Sequence, residues 1–301
     1  MDKLLELNFS VFAMMAVGFL IRKKNIIGKE ANRVITDLVI DVVLPCNIFA
    51  SFLDQDLTAG TGDYISIVLI SLGIQTLSVL YGKFAFPKEA PDRRISLSYA
   101  MIASNAGFLG NAIAEGLYGA TGMRLNSLFL IPQRIMMWSE GLALYSGEKN
   151  RKATLRKVAT HPCVIACMLG LLVLVTGLQI PSFLASPIQS IGKANTPLTM
   201  IMIGLILGEI KLKNLVDRTI VWFTLHRLVC MPLLVWGICL LLPVSKIVKS
   251  LCVLMAAMPA GATTAMLAAK YNRNPHFATR LVTFTTLCSV PAIVIWTILL
   301  R

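Results

Sequence analysis

The hydrophobic residues of this 301-residue chain form long apolar stretches separated by short polar segments. A helix rises about 1.5 Å per residue and a membrane core is about 30 Å thick, so about 20 apolar residues make one span. The connectors are too short for a soluble domain. The pattern predicts an all-α membrane protein of ten transmembrane helices. The predicted spans are Leu4–Ile21, Val34–Leu53, Tyr64–Phe84, Ile95–Tyr118, Ser127–Tyr145, His161–Leu178, Ala194–Gly208, Ile220–Leu242, Leu251–Ala269 and Leu281–Leu300.

Composition and charge support this prediction and orient it. Only 14% of the residues are charged, against about 25% in soluble domains. The net charge of +13 does not indicate a nucleic-acid partner, because most lysines and arginines lie in loops after odd-numbered spans. The opposite side carries only Lys3, Arg124, Lys193, Lys246, Lys249 and Arg301. The positive-inside rule predicts a multi-pass protein of the inner or plasma membrane, bathed in lipid, with both termini extracytoplasmic.

An internal repeat is visible when the chain is shifted by 152 residues. The shift places Pro45 on Pro197 and the fourth span on the ninth. A repeat with an odd number of spans must insert its second copy upside down. The chain is therefore predicted to consist of two inverted five-helix repeats, residues 1–150 and 151–301, with a transport site near the bilayer midplane.

The fourth and ninth spans are both interrupted by helix-weakening residues. The fourth contains Gly107 and Gly110 among asparagines, and the ninth contains Pro259 and Gly261. Unpaired backbone groups at membrane depth are tolerated only against protein or a polar cavity. Such breaks can also serve close helix packing, which is the interpretation of Gly204–Gly208 in the seventh span. Two breaks at repeat-equivalent positions favour a binding site, where half-helix N-termini face a carboxylate.

At these positions the sequence resembles the auxin efflux carrier family, which includes plant auxin exporters and bacterial permeases for malate-like dicarboxylates. The matching segments are Val43–Pro45, Asn105–Gly110, Met258–Gly261 and Ala269–Pro275. The resemblance implies a fold shared with bile-acid transporters, in which spans 1, 2, 6 and 7 form a scaffold. The other six spans form a transport unit that moves as an elevator, and the scaffold forms a homodimer.

The resemblance also places Asn105 at the family's substrate-facing asparagine and Leu44 at a pocket-lining position. Plant members carry a proline at each crossover, where this chain has Ala112 and Thr264, so auxin itself is not the expected substrate. The expected partner is a small mono- or dicarboxylate. The predicted substrate-binding residues are Leu44, Pro45, Asn105, Gly107, Gly110, Asn111, Ala112, Pro259, Gly261, Thr263 and Thr264.

Ionisable residues within spans are costly and are candidates for function. Those selected for proton coupling are His161, Asp37, Asp41 and Glu140. Imidazole titrates near neutral pH, although a histidine at this position can instead cap the start of the sixth helix. Arg134 and Glu140 lie in the same span, six residues apart, which is not one helical turn. A uniporter driven by membrane potential stays an alternative.

The sequence contains one pattern that is typical of another functional class. Residues Gly60–Asp63 fit the Gly-x-Gly-Asp pattern of intramembrane aspartyl proteases, but they fall in a polar turn without the partner motifs. No nucleotide-binding, metal-binding or hydrolase motif is present, so neither enzymatic activity nor a cofactor is expected. A sodium-coupled bile-acid-type symporter and a channel or receptor stay open.

Overall fold

The computed structural model of the chain describes residues 2–28, 31–53, 61–107, 109–146, 156, 159–208 and 215–300. Gly60, the side chains of Lys3 and Ala112, and Arg301 lie outside it. Regular structure in the described part is helical, apart from one isolated bridge. The α-helices are α1 Asp2–Lys23, α2 Ala31–Leu38, α3 Leu44–Leu53, α4 Thr61–Ala85, α5 Pro91–Ile102, α6 Leu109–Met136, α7 Leu142–Ser146, α8 Pro162–Thr176, α9 Ser182–Lys193, α10 Asn195–Leu207, α11 Arg218–Leu225, α12 Met231–Leu241, α13 Lys246–Ala256, α14 Thr263–Lys270 and α15 Pro275–Leu299.

Within the described residues, three π-helical turns connect helices end to end. Val39–Val43 joins α2 to α3, Met137–Gly141 joins α6 to α7, and His226–Cys230 joins α11 to α12. A further change of direction occurs within α6 at Gly119, whose φ of 58° is open to glycine but strained for other residues.

Four described helical stretches are long and apolar enough to cross a membrane on their own: Gly62–Ala85, Ser182–Leu207, Arg218–Leu241 and Pro275–Leu299. The second shows that the predicted seventh span, Ala194–Gly208, begins too late. Its first part, α9, contains Pro187 and Lys193, and such residues lower the hydropathy from which a span is recognised.

Large apolar side chains point outward over much of the surface. Phe9, Val175 and Leu241 are 75%, 76% and 86% exposed. In water such an extensive apolar surface would drive association, whereas lipid tails solvate it. The inside is packed with polar as well as apolar side chains, including fully buried Thr285 and Ser289. This arrangement fits a protein whose outer solvent is hydrocarbon.

The most extensive helix contacts form two sets, and weaker contacts, such as those of α10 with α15 and of α14 with α2, join the sets to each other. In one set, α1 packs along α10 while α3 packs against α8 and α9. In the other, α4 packs against α5 and α6, α12 against α13, and α14 against α15.

The tight contact between α1 and α10 depends on glycines. A Cβ at Gly204 would stand 2.0 Å from the Met15 carbonyl oxygen, and one at Gly18 would stand 2.0 Å from the Ile201 carbonyl oxygen. The packing interpretation of Gly204 is therefore confirmed, because only glycine lets the two backbones approach so closely.

Candidate functional site

The breaks in the fourth and ninth predicted spans lie against each other. The first separates α5 from α6, and the second separates α13 from α14. Between them the backbone N–H of Asn105 donates to the Pro259 carbonyl at 2.9 Å, and that of Gly261 donates to the Ala103 carbonyl at 2.7 Å. We call this pairing of the two unwound segments the crossing.

The spacing of the two breaks differs slightly from the sequence alignment of the repeats. The bridge between Ser104 and Ala260 is antiparallel, so the ends of the helices give the repeat spacing. The helices α5 and α13 end at Ile102 and Ala256, and α6 and α14 begin at Leu109 and Thr263. Both spacings are 154 residues, two more than the 152-residue shift that pairs Pro45 with Pro197.

Side chains from neighbouring helices satisfy the backbone groups that the breaks release. Gln133 Nε2 donates to the Ser104 carbonyl at 2.8 Å, and Asn126 Nδ2 donates to the Ala106 carbonyl at 2.9 Å. The backbone N–H of Ala260 donates to Thr285 Oγ1 at 3.3 Å. Because these bonds replace the missing helical ones, the unwound backbone can persist at membrane depth.

A cavity of about 340 Å³ opens beside the crossing. Its volume is at the lower end of the range found for small-molecule sites. Helices of both packing sets contribute to its wall, so a ligand there would contact both. The lining residues are Leu44, Asn47, Ile48, Ser104, Asn105, Gly107, Asn111, Leu130, Gln133, Arg134, Met137, Trp138, Asn195, Thr196, Thr199, Met200, Gly261, Ala262, Thr263 and Met266.

The electrostatic character of the cavity is set by Arg134. Among the residues that the structure describes, no other lining residue has an ionisable side chain, and the remaining polar ones are mainly amides and hydroxyls. The Arg134 guanidinium also lies over the Phe52 ring, with Cζ 5.6 Å from its centroid. The helices α6 and α14 begin at this cavity, so the partial positive charges of their N-termini add to the positive charge of Arg134. Such a site favours an anion.

Hydrogen bonds hold two of the cavity amides in place. Asn126 Nδ2 donates to Asn111 Oδ1 at 2.7 Å, and Ser104 Oγ donates to Gln133 Oε1 at 3.1 Å. Because its oxygen accepts from Asn126, Asn111 can donate from its NH₂ group to a ligand in the cavity.

The structure brings together about half of the predicted binding residues. Leu44, Asn105, Gly107, Asn111, Gly261 and Thr263 line the cavity. Pro45, Gly110, Pro259 and Thr264 do not line it.

Those outside the cavity support its walls. A Cβ at Gly110 would stand 2.6 Å from Met255 Sδ, and the Thr264 carbonyl accepts from the Tyr145 hydroxyl at 3.1 Å. Ala112 belongs to α6, but its side chain lies outside the described residues.

None of the four proton-coupling candidates lines the cavity. His161 lies behind its wall, stacked on Trp138 with ring centroids 5.4 Å apart. Its Nδ1 accepts from the Cys163 backbone N–H at 3.2 Å, which confirms the helix-capping alternative for this residue. Glu140 is exposed on the π-helical turn Met137–Gly141.

Asp37 and Asp41 instead approach a lysine of α14. Lys270 Nζ lies 2.5 Å from Asp41 Oδ1 and 3.9 Å from Asp37 Oδ1. The ion pair joins α14 to the segment Ala31–Val43, which continues into α3.

We expect Lys270→Gln to lower the thermal midpoint more than Asp41→Asn. Loss of Lys270 leaves two adjacent carboxylates without their shared ammonium, whereas loss of Asp41 leaves Asp37 to replace it. Because the group is partly exposed, each effect should stay within about 1 kcal/mol. Thermal unfolding of the purified variants measures the order, and equal midpoints would contradict it.

The cavity also contains polar residues that the sequence analysis did not select. Under the 152-residue shift, Leu44, Asn47 and Ile48 fall on Thr196, Thr199 and Met200, and all six line the cavity. The repeat around Pro45 and Pro197 therefore contained the signal for this half of the wall. For Gln133 and Arg134 the sequence offers no indication of a position at the cavity other than their polarity within a span.

Comparison with known proteins places these features in context. The family model for membrane transport proteins matches residues 4–297. An uncharacterized transporter of Methanothermobacter thermautotrophicus is 28% identical, and the match covers 98% of each chain. The uncharacterized transporter MJ1031 of Methanocaldococcus jannaschii is 23% identical over 95% of each chain. The uncharacterized transporter YfdV of Escherichia coli is 23% identical over 95% of this chain and 94% of its own.

Proposed function

We propose that this chain, which belongs to the membrane transport protein family, is a secondary transporter of small organic anions. The family and its relatives are transporters, so the protein is a multi-pass membrane transporter and not an enzyme, and the aspartyl protease alternative is discarded. The resemblance to the auxin efflux carriers agrees with this family. The substrates we propose are mono- or dicarboxylates.

The observation that carries the proposal is the guanidinium of Arg134 in a cavity whose described lining residues include no acidic side chain. A guanidinium presents donors in a fork that matches a carboxylate. Asn105 and the amide of Asn111 can complete the coordination of its oxygens. A cationic substrate would be repelled by the positive charge of Arg134.

We further propose the ten-span architecture with two inverted repeats and both termini extracytoplasmic. The pairing of two broken segments and the repeat-equivalent residues in the cavity wall support it. The two sets of helix contacts support a scaffold of spans 1, 2, 6 and 7 and a separate transport unit. Since the cavity lies between the sets, sliding of one along the other would carry the ligand across, as in an elevator. Exposed apolar residues of α8 and α9 are available for a scaffold-mediated homodimer.

The experiment that tests this function uses purified protein in two steps. A thermal-shift screen of mono- and dicarboxylates identifies a ligand, because a bound ligand raises the midpoint once its concentration exceeds Kd. Counterflow of the labelled ligand is then measured in liposomes. Saturable counterflow supports a carrier, and the absence of stabilisation by every carboxylate tested would reject the anion site. Flux without counterflow would indicate a channel.

We expect Asn105→Ala to weaken binding of the carboxylate by about 3- to 10-fold, since one hydrogen bond to the ligand is worth about 0.5–1.5 kcal/mol. Asn105→Asp keeps the size and adds a negative charge, so it should weaken binding more. Kd from ligand-dependent thermal midpoints measures both. Unchanged Kd in both variants would remove Asn105 from the binding site.

A further inference from the structure

A buried arginine lies at the crossing, outside the cavity. Arg227 belongs to the π-helical turn His226–Cys230 and is 3% exposed. Its Nε donates to the Met258 carbonyl at 2.9 Å, and its Nη1 donates to the Met101 carbonyl at 2.8 Å. Within the described residues no acidic side chain pairs with it. The groups seen to bind its guanidinium in the described part of the chain are backbone carbonyls.

The two carbonyls belong to the C-terminal ends of the broken helices. Met101 lies in the last turn of α5, and Met258 lies just beyond α13, beside Pro259. Each helix C-terminus carries about half a negative elementary charge. Two such ends together carry about one negative charge, which matches the single positive charge of the guanidinium.

This arrangement divides the crossing by charge. The N-terminal ends of α6 and α14 face the cavity, whereas the C-terminal ends of α5 and α13 face Arg227. In transporters built from broken helices, half-helix C-termini and unwound carbonyls are the groups that coordinate a coupling sodium ion. At this crossing the Met101 and Met258 carbonyls are already bonded to a cation that cannot dissociate.

We propose that Arg227 is the built-in cation of the crossing and that the protein transports its anion independently of sodium. The inference rests on the proposed function and extends it to the coupling ion. Arg227 is a positioning residue, because it contacts both breaks and not the substrate. The geometry also disfavours the sodium-coupled bile-acid-type alternative, since a sodium ion would compete with the guanidinium for these carbonyls.

The first test measures the wild-type protein in sodium, potassium and choline chloride at equal ionic strength. We expect the same thermal midpoint in all three salts without any substrate present, and the same counterflow once a carboxylate substrate is known. A midpoint that rises with sodium alone, or counterflow that requires sodium, would overturn the inference. The midpoint needs no substrate, so failure of the carboxylate proposal leaves this test intact.

The second test removes and restores the cation. Arg227→Ala should lower the midpoint, and ethylguanidinium, which carries the atoms removed beyond Cβ, should restore it when present throughout purification. Choline at equal ionic strength should not. Arg218→Ala, which removes an exposed arginine from the start of α11, should show neither effect. A wild-type midpoint in Arg227→Ala, or no restoration by ethylguanidinium, would overturn the inference.

Arg227→Lys covers the case in which Arg227→Ala does not fold. Lysine keeps the charge but cannot present the forked donors that reach two carbonyls. We expect a folded protein with a lowered midpoint that still does not respond to sodium. A wild-type midpoint in this variant, or stabilisation by sodium, would count against the assignment.

Discussion

Arg134→Gln is expected to lower the affinity for carboxylates by at least tenfold and to reduce their counterflow accordingly. The substitution removes the one positive side chain among the described lining residues of the cavity, and a hydrogen bond to a charged group is worth about 1.5–3 kcal/mol. Arg134→Lys should retain part of the affinity, because the charge remains while the forked geometry is lost. Kd from thermal midpoints and initial counterflow rates measure both variants.

Arg218→Gln is the matched control for this charge removal. Arg218 is exposed at the start of α11 and does not line the cavity, so its loss should leave Kd unchanged. If Arg134→Gln bound carboxylates as tightly as the wild type, the charge of Arg134 would no longer support an anion site. A neutral substrate would then be the better proposal.

Gly204→Val is expected to prevent stable assembly of the protein. The Cβ of the new valine would overlap with the Met15 carbonyl oxygen. Because that oxygen belongs to the backbone, it cannot rotate away, and α1 and α10 would have to separate. Overpacking a well-packed core typically costs about 1–3 kcal/mol, and we expect about 3 kcal/mol or more here because the clash is with backbone. Size-exclusion profiles in detergent and the thermal midpoint report the loss.

Gly237→Val is the control for valine in a helix. Gly237 lies exposed within α12, and a Cβ there would meet nothing within 4 Å. Its midpoint should stay close to that of the wild type. A stable Gly204→Val would show that α1 and α10 can move apart without disturbing the fold.

The helical spans and the breaks could be predicted because both are local properties. A span requires about 20 apolar residues, and a break requires glycine or proline within it. Span boundaries were less accurate where polar residues enter a helix, as at Lys193. The candidate site was predicted in part: Asn105, Asn111 and Thr263 line the cavity because they flank the breaks.

Arg134 illustrates what a pattern cannot show. In the sequence it is one of several charges within spans, considered together with Glu140. In the structure it lies at the cavity beside Phe52. Arg227 similarly lies within the predicted eighth span, yet its guanidinium reaches Met101, 126 residues away along the chain.

The amino-acid sequence alone thus determined the membrane environment, the helical class and the positions of the two breaks, since these depend on hydropathy and on the backbone preferences of glycine and proline. The register of the crossing, the inward position of Arg134 and the binding of Arg227 to two helix ends were decided by tertiary packing. Each depends on contacts between residues far apart in the chain. The local conformational preferences of a residue do not determine which distant residue it will contact.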